Sequence, residues 1–89
     1  MEPIERFDIV RSLAGHDREK LFLVLELRQG RALIADGKTR KVQKPKLKSL
    51  KHLELEAKGT HRPDDLIGSR EISNREISKL LAVYRRNAM

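Results

Sequence analysis

The run Leu21-Phe22-Leu23-Val24-Leu25 restricts this chain more than any other segment. In a β-strand, alternate side chains point to opposite faces, which puts Leu21, Leu23, Leu25 and Leu27 on one side and Phe22 and Val24 on the other. Both faces are apolar, so both need cover. A chain of 89 residues has material for one core, and a small barrel with something packed on its outside meets the requirement. The run is also far shorter than the roughly 20 residues of a membrane-spanning helix. The start, Met1-Glu2-Pro3-Ile4-Glu5, has neither the basic nor the apolar region of a secretory signal. With no cysteine, the fold must stand on apolar packing, and a reducing compartment suits it. The expected location is cytoplasmic.

Short apolar stretches recur from Phe7 to Leu55 and predict four or five strands. The first runs from Phe7 to Leu13, followed by a loop through Gly15. The second is Leu21 to Leu27. Gln29-Gly30 then supplies a turn, and Arg31 to Asp36 returns as the third. Asp36-Gly37 is a tight-turn signal that predicts a fourth strand from Lys38 to Lys44. Pro45 should end that strand or place it on an edge, because proline cannot donate to a ladder. Leu47, Leu50 and Leu53, three apart, suggest a helical or 3₁₀ turn with Lys46, Lys48 and Lys51 facing solvent. A last strand takes up the alternation Leu53, Glu54, Leu55, Glu56.

The C-terminal region carries a sharper local signal. Ser73-Asn74-Arg75-Glu76 matches a capping box, with Ser73 as N-cap and Glu76 at N3, and Ile72 and Ile77 occupy hydrophobic-staple positions. Ile77, Leu80, Leu81 and Tyr84 follow at helical spacing, and Arg85 and Arg86 complement the helix dipole. This apolar stripe is expected to cover the outward face of the second strand. Residues 58–72 read as a linker.

The charge is +7, and its placement is informative. Lys38, Arg40, Lys41, Lys44, Lys46, Lys48 and Lys51 lie between Asp36 and Glu54 without an intervening acidic residue, leaving 13 basic and 13 acidic residues elsewhere. A neutral body with one basic strip is the footprint of a protein that neutralises phosphates. Attachment to an anionic membrane would need a second anchoring signal, which the chain lacks, so no membrane partner is expected.

His16, His52 and His61 are scattered, and without cysteine or a close carboxylate pair they make no metal site. No phosphate-binding glycine-rich motif is present, and a small barrel leaves little room for a substrate pocket. Ser12, His16 and Asp17 do not form a catalytic set by spacing, since neighbouring loop residues rarely face one point. The expectation is a protein that is not an enzyme, with no catalytic residues, metal, cofactor or small-molecule substrate. Phe7, Phe22 and Tyr84 are the only aromatics and fall at core or helix-stripe positions. Base stacking is thus disfavoured, and structured RNA read through phosphate and shape becomes the expected partner.

The stretch from Asp8-Ile9-Val10-Arg11-Ser12-Leu13-Ala14-Gly15-His16-Asp17-Arg18-Glu19-Lys20 through Leu25 resembles a KOW motif. Its continuation, Ala35-Asp36-Gly37-Lys38-Thr39-Arg40-Lys41-Val42-Gln43-Lys44-Pro45-Lys46, narrows the likeness. Together they resemble the small bacterial KOW-domain RNA-binding proteins that are similar to a large-subunit ribosomal protein of archaea and eukaryotes. The resemblance covers Phe7 to Leu55 and implies an SH3-like barrel that binds ribosomal or other structured RNA, with ribosomal proteins as further partners. It adds Arg11, His16, Arg18 and Lys20, in the motif loop, to the candidate RNA contacts. This family often has glycine where Glu19 stands.

The expected fold is therefore mainly β, an SH3-like small barrel of KOW type over residues 4–57, with a linker over 58–72 and a C-terminal α-helix over 73–87. The expected function is binding of structured RNA phosphates by the basic strip, in association with the ribosome. The competing function is a protein-interaction module linked to transcription or translation machinery, since such barrels host many activities.

Overall fold

The computed structural model describes residues 3–59 and 72–87. Five strands, β1 (Ile9–Ser12), β2 (Leu21–Arg28), β3 (Arg31–Ala35), β4 (Lys46–Ser49) and β5 (Leu53–Ala57), form one antiparallel sheet in the order β4-β3-β2-β1-β5. A 3₁₀ turn, Leu50–His52, links β4 to β5, and one helix, α1 (Asn74–Asn87), follows. The expected linker lies largely outside the described residues.

The sheet is open, since β4 and β5 are its two edges and do not pair, yet it cannot be flat. Five strands laid side by side put the outer two about 19 Å apart. The connection from Ser49 to Leu53, four residue steps, spans at most about 14 Å fully extended and less as a 3₁₀ turn. The sheet therefore curls. Leu50, on the connecting turn, and Leu53 pack with Val10, Phe22, Val24, Ala32 and Ile34 in the cluster on the concave side.

The convex side holds a second cluster of Phe7, Ile9, Leu21, Leu23 and Ala35, covered by Ile72, Ile77 and Leu81. The helix stripe thus covers the outward face of β2. Its start is fixed as the sequence indicates. The Glu76 amide donates to Ser73 Oγ at 3.1 Å and the Ser73 amide to Glu76 Oε1 at 3.0 Å, while Ile72 and Ile77 are both buried. At the other end, Tyr84 donates its hydroxyl to Glu56 Oε1 at 2.9 Å on β5.

Three sequence expectations are corrected. Lys38 to Lys44 is not a strand but an irregular loop, and the fourth strand begins after Pro45. The expected tight hairpin turn at Asp36-Gly37 is likewise replaced by the start of this loop, because Asp36 bonds forward along it. Its carboxylate accepts from Lys38 N, Arg40 N and Thr39 Oγ1 at 2.8, 2.7 and 2.6 Å. Lys48, expected in solvent, is buried on β4, where pairing with Ala32 turns it to the concave face. Leu27, expected to share a face with Leu21 and Leu23, does not. Glu26 pairs with Leu33 directly after Val24 pairs with Ile34, so Leu25 forms a bulge that reverses the alternation, and Leu27 is left 41 % exposed.

The Gln29-Gly30 turn closes β2 and β3 as a two-residue hairpin loop with φ of 31° and 79°, the type I′ signature. Glu19, between β1 and β2, has φ of 70°, in the left-handed region where a side chain is strained. Replacing Glu19 by glycine should relieve that strain and raise stability by about 0.5–1 kcal/mol after the added unfolded-state entropy of glycine. Urea denaturation of both forms, read at a common m-value, checks this.

Candidate nucleic-acid interface

The β1–β2 loop and the β3–β4 loop meet on one side of the sheet. His16, Asp17 and Lys20 from the first, Thr39 and Arg40 from the second, Lys46 at the start of β4 and Phe22 line a cavity of about 180 Å³. Four residues singled out from sequence, His16, Lys20, Arg40 and Lys46, are thereby brought together.

Asp17 ties the β1–β2 loop to β4. It is buried and accepts three hydrogen bonds, from Ser12 Oγ at 2.8 Å, Lys48 Nζ at 2.7 Å and Lys46 Nζ at 2.9 Å. Lys48 Nζ also donates to the Ala14 carbonyl at 2.6 Å. Burial alone would raise the Asp17 carboxyl, but the bonds from Lys48, Lys46 and Ser12 outweigh it and hold the group far below the usual carboxylate range. Chemically, Asp17 withdraws Lys48 from the basic surface and draws Lys46 to the cavity rim. Lys46 keeps two N–H groups for other partners, since an ammonium has three donors.

The β3–β4 loop is held from within and from the helix. Asp36 organises its first turn, and although burial would raise this carboxyl too, hydrogen bonds from Thr39, Arg40 and Lys38 keep it low. Asn74, the first residue of α1, accepts from Val42 N through Oδ1 at 2.7 Å and donates from Nδ2 to Gln43 Oε1 at 2.8 Å. Gly37, with φ of 82°, lies so close to the Asn74 carbonyl that a Cβ there would collide with it. The helix N-terminus thus braces the basic loop.

Other predicted residues are placed differently. Arg11 pairs with Leu21 across the strands and shares its face, opposite to Phe22, and its guanidinium bonds Glu56 Oε2 at 3.0 Å. It does not reach the cavity. Arg18 is exposed on the β1–β2 loop, Lys38, Lys41 and Lys44 are exposed on the β3–β4 loop, and Lys51 is exposed on the 3₁₀ turn. The sequence marks Asp17 only beside Ser12 and His16, and Asn74 only inside the capping box, and it assigns neither a tethering role. The only hint was an aspartate inside a basic loop and an asparagine behind the N-cap, and neither identifies a partner about 30 residues away.

Among the described residues no group of histidine and acidic side chains is arranged to hold a metal, and no helix is long and apolar enough to cross a membrane. No protein-family model matches the chain, and a search of curated proteins finds no match.

Removing the Asp17 charge leaves Lys48 buried without its counterion, so Asp17→Asn should destabilise the fold by roughly 3 kcal/mol, measurable by denaturant unfolding. The folded Asp17 and Asp36 carboxyls bind protons less readily than the unfolded chain, whose value is 3.8. Their stabilisation is therefore complete above about pH 4–5 and lost as pH falls below that range. Acid unfolding followed by circular dichroism should be less steep in Asp17→Asn.

Proposed function

We propose that this protein binds structured RNA through the adjoining β1–β2 and β3–β4 loops, as a non-enzymatic cytoplasmic protein associated with the ribosome. The observation that carries the reading is the convergence of His16, Lys20, Arg40 and Lys46 around one cavity. Lys38, Lys41, Lys44 and Lys51 extend the positive surface beyond it.

The finer fold reading, an SH3-like barrel of KOW type, rests on the resemblance of residues 7–55 and draws support from two features. Joining both sheet edges through three residues is what a nearly closed barrel needs. The left-handed backbone at Glu19 is the conformation that glycine, frequent there in the family, adopts without strain. Burial of Phe7 and Phe22 favours contact with phosphate and shape over stacking on unpaired bases.

A protein-interaction module linked to transcription or translation machinery is the second reading. It is favoured by exposed Leu13 beside a cavity lined by Ile4, Leu50, Leu53 and Leu55.

The deciding experiment is ultraviolet crosslinking in growing cells with sequencing of the attached RNA, for the wild type and a variant with Lys20, Arg40, Lys41 and Lys44 changed to alanine. Crosslinks concentrated at one ribosomal RNA site and lost in the variant are expected. Diffuse or absent crosslinks in the wild type would put the protein-interaction reading first. In vitro, log affinity should fall against log salt with a slope of roughly −3 or steeper, as several phosphates are neutralised.

A further inference from the structure

Among the described cavities, the one between the two loops has an unusual wall. Its 180 Å³ is below the roughly 300–1,000 Å³ of sites that take a cofactor or drug-sized molecule. It is small enough to suit a compact group, and its polar lining is dominated by donors. Lys20 and Arg40 make no ion pair among the described residues. Lys46 has spare N–H groups, and His16 is exposed at the rim. Thr39 spends its hydroxyl proton on Asp36, so the incoming group must accept from the four basic side chains. The single acidic wall residue, Asp17, is already engaged by two ammonium groups. By contrast, the cavity at the β2–β3 hairpin contains Arg28 and Arg31, but Arg28 is paired with Glu26 and Leu27 and Leu47 share the wall.

We infer that this cavity is a seat for one phosphate group, held by His16 and Lys20 from one loop and by Arg40 and Lys46 from the other. The inference rests on the RNA-binding reading and adds to it. The seated phosphate fixes the register of the RNA backbone, while Lys41 and Lys44 supply screened, replaceable attraction to neighbouring phosphates. Asp17 and Asn74 act as positioning residues, one holding Lys46 at the rim and the other bracing the loop that carries Arg40.

The test compares two variants that each remove two positive charges, Lys20→Ala with Arg40→Ala, and Lys41→Ala with Lys44→Ala. Each binds an RNA hairpin lacking a terminal phosphate, and inorganic phosphate is titrated into the wild type at low salt while amide resonances are followed. None of these four side chains makes an ion pair or hydrogen bond recorded among the described residues, and thermal melts verify that both variants fold. A loss of RNA affinity at least tenfold larger for the Lys20/Arg40 pair, with phosphate-induced shifts centred on residues 16, 20, 40 and 46, is expected. Equal losses from the two pairs, or shifts spread evenly along the strip, would overturn the seat while leaving RNA binding intact. Failure of the wild type to bind the hairpin, with the localised phosphate shifts retained, would overturn the RNA reading and support the seat as a site for another phosphorylated ligand.

Discussion

Burial of β2 on both faces is the constraint on which the rest of this structure depends. Leu21 and Leu23 look one way, Phe22 and Val24 the other, and all four are almost fully enclosed. Fully burying such side chains contributes about 1.5–3 kcal/mol each, so leaving either face wet would cost more than a small domain can lose. The sheet answers one requirement by curling over Phe22 and Val24. Helix α1 answers the other by laying Ile77 and Leu81 on Leu21 and Leu23. Docking the helix also delivers Asn74 to the β3–β4 loop, so the brace on the candidate interface follows from the same apolar demand.

Much of this was legible in the sequence because the signals are local. The capping box and staple at 72–77, the Gln29-Gly30 hairpin and the two-faced strand at 21–25 each lie within a few residues, and each formed. What the sequence concealed is non-local. Lys46 and Lys48 sit in a lysine-rich run whose composition suggests solvent, and only strand pairing with β3 turns Lys48 inward toward Asp17, 31 residues away. The Leu25 bulge leaves no mark in the hydrophobic pattern, because Leu27 preserves the alternation that the backbone breaks.

The candidate site shows the same division. The sequence presented a basic strip as a line of residues, whereas the fold draws in His16 and Lys20 from the other loop, buries Lys48 against Asp17 and leaves Arg11 on the opposite face beside Glu56. Charge counting therefore overstates the number of cations available to a ligand. The useful quantity is the set of cations that still present N–H groups at the surface, as Lys46 does beside Asp17 and the buried Lys48 does not.

The sequestered Lys48 has a consequence for the chemical life of the protein. Acylation, methylation and tryptic cleavage all require an approachable ammonium group, and Lys48 presents its own to Asp17 and the Ala14 carbonyl, with its side chain 9 % exposed. Lys41 and Lys44 stand open a few residues upstream. A neutralising modification would consequently sort lysines of one run into those that can be switched and one that cannot, so that the surface charge can be edited without touching the ion pair that ties the β1–β2 loop to β4.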